Sequence, residues 1–287
     1  MKKKVLLTGS KGFILSAFYK SYNKEYEMIQ TGRNDENIVN LDVRDESQVE
    51  KVLLQFKPDY VLHGAGITST GECENNKTLA YDVNVTGSIN VAKACRKVGA
   101  KMIFFSTEQV FNGNRNPGPY TEDMKAVPNT YYGQTKLQAE KEIKKILDDF
   151  VIMRLTWMYD FSTKPAVKNI LTDTIFSKED LKVPGNEYRG MTPLNQLLDF
   201  FPKIMDLPSG TYHIGSANNK SRYEIVQLIL DLINRNNIKA TIDNHGDVRD
   251  IRLDMGKINQ LGIVFDPTDE AIKDTMSKHK KEIEEML

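Results

Sequence analysis

A glycine-rich turn, Thr8-Gly9-Ser10-Lys11-Gly12, stands between an apolar run, Val5-Leu6-Leu7, and a helical pattern that begins near Gly12. A strand that ends in such a turn and feeds a helix opens a parallel βαβ unit, so the chain that follows must supply parallel strands and crossover helices. The first half does so. Strands are expected at Val5–Leu7, Met28–Gln30, Ile38–Leu41, Tyr60–Leu62, Lys101–Phe105 and Val151–Arg154. Helices are expected near Gly12–Tyr22, Glu46–Gln55, Leu79–Val98 and Thr130–Leu147. In Glu46–Gln55 the residues Val49, Val52, Leu53 and Phe56 share one stripe, and Pro58 follows as a stop. The fold class is α/β, a Rossmann-type doubly wound parallel sheet.

After Arg154 the rhythm loosens. Pro165, Pro184-Gly185, Pro193, Pro202, Pro208 and Pro267 mark a loop-rich region, broken by a strand at Gly210–Ile214 and by a helix over Ser221–Arg235 that starts at a serine cap. The closing helix, Asp269–Leu287, is highly charged and is expected to be partly exposed. Residues 1–155 are read as a Rossmann domain and residues 156–287 as a smaller lobe, interleaved with late strands of the sheet.

Over 287 residues Lys+Arg and Asp+Glu balance at 39 each, so no global field points to nucleic acid or to an anionic membrane. An anionic ligand must therefore meet local arginines. Cys73 and Cys95 are unpatterned, which suits a reducing compartment. The run Met1-Lys2-Lys3-Lys4-Val5-Leu6-Leu7 imitates a signal peptide but breaks at Thr8-Gly9, and no apolar stretch approaches the roughly 20 residues of a membrane span. A cytoplasmic protein without a metal is expected.

Gly9 and Gly12 allow a close approach to a pyrophosphate, and the amides of Phe13 and Ile14 open the following helix at its positive dipole end. An ordinary βα turn would carry the same glycines. Leu15 stands where a third glycine is expected, so the helix should shift more than the phosphate contact should fail. Arg33, after the second strand, reads either as the partner of a ribose 2′-phosphate, which favours NADPH with NADH as the alternative, or as a solvated loop arginine. Asp42-Val43 would bracket an adenine, and Gly64-Ala65-Gly66 would let ribose and pyrophosphate lie against the backbone. His63 reads as a packed core histidine. Tyr132 and Lys136 are four apart on a helix and share a face. A phenol titrates at about 10 and an ammonium at about 10.4, but side by side the cation favours the phenolate, which makes the phenol a usable proton donor.

Taken together, the glycine-rich turn, Asn84-Val85-Thr86-Gly87, Ser106-Thr107 and Tyr132…Lys136 resemble the extended short-chain dehydrogenase/reductases, and within them the dTDP-4-dehydrorhamnose reductases. Further matching stretches are Leu41-Asp42-Val43, Ala80-Tyr81-Asp82-Val83-Asn84, Pro119-Tyr120-Thr121-Glu122-Asp123 and Arg154-Leu155-Thr156-Trp157-Met158-Tyr159. The resemblance implies that Tyr132 protonates a sugar ketone, that Lys136 lowers its pKa and holds the nicotinamide ribose, and that Thr107 polarises the carbonyl. It implies that Asn84 and Ser106 belong to the cofactor site with Gly9, Lys11, Gly12, Phe13, Ile14, Arg33, Asp42, Val43, Gly64, Ala65, Gly66, Tyr132 and Lys136. Glu108, Arg154, Trp157 and Arg189 would approach a nucleotide-sugar substrate, and Arg154, Arg189, Arg222, Arg249 and Arg252 are available for its diphosphate.

Two departures stand out. Glu108-Gln109 replaces the Asp-Tyr of the reductases and the Asp-Glu of the related dehydratases, and Gln109 cannot take a proton. The reductases' Gln-x-Gly-x-Pro-Thr stretch is here Tyr188-Arg189-Gly190-Met191-Thr192-Pro193. The function implied is NADPH-dependent reduction of a nucleotide-linked 4-keto-6-deoxysugar. The alternatives are an epimerase or dehydratase that retains its NAD(P), and a non-catalytic nucleotide-binding regulatory subunit. A homodimer through the helices Leu79–Val98 and Thr130–Leu147 is the superfamily's usual assembly, against which the exposed charge of Lys93, Arg96 and Lys97 stands.

Overall fold

The computed structural model describes residues 2–33, 35–114, 117–161, 170–244 and 246–286. Met1, Pro165 and Leu287, all named above, lie outside them. The chain divides into two compact units, one of residues 1–111, 125–154 and 200–212, the other of residues 112–124, 155–199 and 213–287.

In the first unit strands and helices alternate as β1 (Lys4–Thr8), α1 (Phe13–Tyr22), β2 (Glu27–Gly32), β3 (Val39–Asn40), α2 (Glu46–Phe56), β4 (Tyr60–His63), α3 (Thr70–Asn75), α4 (Lys77–Tyr81), α5 (Gly87–Val98), β5 (Lys101–Thr107), α6 (Tyr131–Ile146) and β6 (Phe150–Leu155). The central sheet runs Gly210–Ile214, β6, β5, β4, β1, β2, β3, and the pairings β1–β2, β1–β4, β2–β3 and β4–β5 are parallel. The order reverses at β1, which puts a crevice at the carboxyl ends of β1 and β4, where Thr8 pairs in register with His63. Strands buried on both faces must be apolar throughout, and Val5, Leu6, Leu7, Val61, Leu62, Met102, Ile103 and Phe104 are all fully buried.

Local chemistry sets the helix ends. Asp45 caps α2 by accepting from the Gln48 amide, and Lys57 closes it in the left-handed region (φ 47°) ahead of Pro58. Thr130 caps α6 by accepting from the Gly133 amide at 3.1 Å.

The expected helix Leu79–Val98 is not continuous. A π turn, Asp82–Thr86, separates α4 from α5, and α3 is an element the sequence pattern did not suggest. Pro202, expected in a loop, sits inside the helix Leu194–Met205. A helical proline costs about 3 kcal/mol, and burial of Leu197, Phe201, Ile204 and Met205 at roughly 1.5–3 kcal/mol each offsets it.

The second unit has its own core, with Tyr159, Leu171, Ile175, Ile225, Ile229 and Ile272 at its centre. Among the described residues three two-stranded parallel sheets belong to it, one of them Trp157–Tyr159 with Met191–Pro193, so Pro193 ends a strand and not a loop. Ser221 and Glu224 form a capping box on the helix Arg222–Leu232. The closing segment is two helices, Thr268–Lys278 and Lys280–Met286, and the first is anchored by the buried Ala271, Ile272, Thr275 and Met276. Among the described residues no helix is long and apolar enough to cross a membrane.

Candidate active site

Gly9 adopts φ +69°, and a Cβ there would meet the Ala65 backbone at 2.9 Å, so both conformation and space demand glycine. The first turn of α1 carries no acidic residue, its cap Gly12 offers no side chain to the orphan amides, and the buried Ser10 hydroxyl has no partner among the described residues. Phe13 and Ile14 stand half-buried in that turn. These amides and the hydroxyl fit an anionic pyrophosphate. Leu15, in place of the third glycine, is 2 % exposed and occupies the space above Gly64, where a Cβ would fall 2.7 Å from its Cδ1. The helix–sheet contact is therefore kept by exchanging a small residue on the helix for a small one after β4.

Beyond β2, Arg44 grips Asp42 bidentately and holds its carboxyl below the ordinary value, while Arg33 is a second, looser partner at 3.9 Å. Lys11 pairs with Asp35 at 3.1 Å. Val43 is buried against Gly87, which leaves Asp42 the more open of that pair.

Behind the turn lies a buried polar chain whose proton directions can be assigned. Ser88 Oγ donates to the Asn84 carbonyl (2.6 Å), so it accepts from His63 Nε2 (3.0 Å). His63 Nδ1 then accepts from Thr8 Oγ1 (2.7 Å), which accepts from the Ala65 amide (3.3 Å). Burial, with Lys136 nearby, pushes the His63 imidazole down to about 3 and keeps it neutral, as a core histidine should be.

The π turn sets Asn84 (1 % exposed) against the helix that carries Tyr132. Its Oδ1 accepts from the Ile67 amide (2.8 Å), and its Nδ2 donates to the Ile67 carbonyl (3.0 Å) and to Thr135 Oγ1 (3.0 Å). Thr135 donates in turn to the Tyr132 carbonyl (2.8 Å). Asn84, within the π turn, thus joins the loop after β4 to the first turn of α6.

Tyr132 is nearly buried beside Cys73 and Ala80. Lys136 lies over the Phe104 ring at 4.1 Å, and burial pushes its amine down to about 7 against the opposing pull of Glu140 and Cys73. Thr107 accepts from the Gln109 amide (3.2 Å) and caps the 3-10 turn Glu108–Val110, which leaves its hydroxyl proton to donate. Gly133 lets α6 touch this turn, since a Cβ would fall 2.2 Å from the Gln109 carbonyl oxygen.

Two expected ligand contacts go elsewhere. The Ser106 hydroxyl donates to Glu140 at 2.5 Å, and Arg154, 4 % exposed, grips the same carboxylate through Nε (3.1 Å) and Nη2 (2.8 Å). Burial commits both to Glu140, and Arg154 is thereby withdrawn from the diphosphate set. Glu108 is fully buried.

In the second unit Trp157 carries two guanidinium groups, Arg189 at 4.6 Å and Arg222 at 5.9 Å from its ring centre. Glu187 pairs with Arg222 (3.2 Å) and Arg249 (2.9 Å). Burial alone would raise the Glu187 carboxyl, but Arg189, Arg222 and Arg249 together hold it below its usual value. Arg252 pairs with Asp250 at 2.7 Å and lies over Tyr188. Among the described residues Arg222 and Arg249 thus converge on Glu187 and Arg252 on Asp250, with Arg189 against Trp157, a concentration of cation suited to an anion. Glu140 and Glu187 were not singled out from the sequence. The four-residue spacing of Tyr132, Lys136 and Glu140 carried a signal for the first, while Glu187 acquires its partners through folding alone.

Comparison with known proteins agrees with this arrangement. The spore coat polysaccharide biosynthesis protein SpsK of Bacillus subtilis (strain 168) is 29% identical over 229 residues, covering 79% of this chain and 78% of that protein. Methionine adenosyltransferase 2 subunit beta of Xenopus laevis is 28% identical over 244 residues, covering 81% and 72%. The crystal structure of a dTDP-4-dehydrorhamnose reductase from Clostridium acetobutylicum ATCC 824 superposes with a TM-score of 0.84 at 26% identity, over 96% of this chain and 99% of that one. Residues 2–251 match the RmlD substrate binding domain family, and the chain belongs to that family, within the extended short-chain dehydrogenase/reductases.

Proposed function

We propose that this protein is an NADPH-dependent reductase of a nucleotide-linked 4-keto-6-deoxysugar, with residues 1–155 as the cofactor domain and residues 156–287 as the substrate lobe. The observation that carries the reading is the Tyr132–Lys136 pair on a helix tied through Asn84 to the loop after β4 and through Gly133 to the turn behind Thr107. The bound nicotinamide cofactor supplies the hydride. The Tyr132 phenol gives its proton to the ketone oxygen as that oxygen gains charge, and the Thr107 hydroxyl donates to the same oxygen. Lys136, one helical turn from Tyr132, favours the phenolate left behind and donates to the nicotinamide ribose. Gly9, Gly12, Phe13, Ile14 and the segment Gly64–Gly66 take the pyrophosphate, while Lys11 and Arg33 take the 2′-phosphate beside Asp42. Trp157, Arg189 and Arg222 hold the substrate's nucleotide diphosphate. The deciding experiment supplies NADPH and a panel of 4-keto nucleotide sugars; stoichiometric NADPH oxidation supports the reading, and its absence with every ketone defeats it.

A second reading is a cofactor-binding subunit without turnover. Its specific support is the 28% identity to a methionine adenosyltransferase subunit, together with Gln109, which cannot carry a proton. Tight NADPH binding without oxidation of any ketone would favour it. Retained cofactor with product formed and no net oxidation would favour an epimerase.

A further inference from the structure

Glu140 is almost fully buried, one turn beyond Lys136 on the same face of α6, and it is held from two strands at once. Ser106, at the end of β5 and next to Thr107, donates to its Oε1, and Arg154, near the end of β6, takes both oxygens in fork geometry. The Arg154 guanidinium rests on the Phe111 ring at 5.2 Å.

We propose that Glu140 is a positioning residue of the Tyr132–Lys136 site: its clamped carboxylate fixes α6 to the strand ends that carry Ser106-Thr107 and serves as the buried counter-charge that keeps Lys136 an ammonium. A buried carboxylate stays ionised only when it is paired and hydrogen-bonded, which Arg154 and Ser106 achieve. Lys136 needs that charge, because it is buried against the Phe104 ring and, among the described residues, forms no ion pair of its own.

Two other titratable groups from neighbouring elements act on Lys136. Burial holds the Cys73 thiol of α3 above its ordinary value, with Glu72 and Glu74 adding to the effect, so it is neutral at pH 7. His63 of β4 is neutral as well. Among the described residues Glu140 is therefore the ionised group that favours the charged amine. The mechanistic consequence rests on the reductase reading; the electrostatic one does not.

The test is an NMR titration of the full chain, free of ligand, labelled with [ε-13C]lysine, in which the Lys136 signal is identified by its loss in Lys136→Met. The wild-type midpoint is expected at about 7, and Glu140→Gln should lower it by about one unit. Should the unpaired guanidinium unfold that variant, Glu140→Gln with Arg154→Gln carries the same expectation. An unmoved midpoint overturns the proposal, as does failure of both variants to fold, which would make the pair structural only.

Where wild type oxidises NADPH, the alkaline limb of kcat in Glu140→Gln should move down with the midpoint. An alkaline limb that stays in place contradicts the proposal. Absence of turnover in wild type would defeat the reductase reading and leave the titration to decide this one.

Discussion

Around Tyr132 the polar groups are buried and hold one another: Thr8, His63, Ser88 and Asn84 form one directed chain, and Ser106, Glu140 and Arg154 form a closed cluster. Around Trp157 the arginines lie at the surface of an aromatic ring, with the Arg222 side chain 40% exposed and Arg249 30% exposed. The first region fixes proton positions through desolvation and hydrogen bonds, which water does not contest. The second offers charge that water and salt reach. The buried region should therefore respond to pH and the arginine region to ionic strength.

The largest effect expected from that contrast is acid sensitivity. His63 is neutral in the fold down to about pH 3, whereas an unfolded histidine takes a proton near about 6.5. Between these values the unfolded chain binds more protons, so stability falls as pH drops through that window, by on the order of 4 kcal/mol from this group. Urea unfolding at pH 4 and pH 7 should show the loss, and His63→Gln should flatten it. An equal slope in the variant would place the acid sensitivity elsewhere.

Next comes Thr107→Val, which removes a donor to the developing oxyanion and should lower kcat by about 10²–10³-fold, with NADPH affinity nearly unchanged in a fluorescence titration. Arg189→Ala should act in the other sense. Loss of a charge-assisted contact should raise KM for the nucleotide sugar by roughly tenfold or more with little change in kcat, and the wild-type KM should itself rise with salt. If Arg189→Ala lowered kcat and left KM alone, the division between the regions would be misdrawn. The smallest change is expected from Arg33→Asp, which should reverse the preference for NADPH over NADH by restoring an acceptor for the ribose hydroxyl and repelling the 2′-phosphate. An unchanged ratio would make Arg33 a surface residue.

The same contrast explains what could be read in advance. Strands and helices of the first unit follow local rules, a short apolar run or a 3.6-residue period, and six strands and three helices appear within a few residues of where the pattern sets them. The turn at Gly9–Gly12 and the Tyr132–Lys136 spacing are likewise local. The π turn at Asp82–Thr86 was not legible, because it answers to the contact of Asn84 with Ile67 and Thr135, 17 and 51 residues away. Arg154 shows the converse. Its place in a matching stretch suggested a ligand, but the fold supplies Glu140, which takes both guanidinium nitrogens in a buried fork. In the second unit Trp157, Glu187, Arg222 and Arg249 come from four separated stretches, so neither period nor spacing announces them.

The central claim is that Tyr132 gives the proton in a reduction, and the most direct measurement pairs NADPH oxidation with NADPH binding in Tyr132→Phe. The ring is kept and the proton removed, so binding should stay near wild type while turnover on a 4-keto nucleotide sugar falls by about 10²–10⁴-fold. Near-normal oxidation of NADPH by Tyr132→Phe would contradict the account.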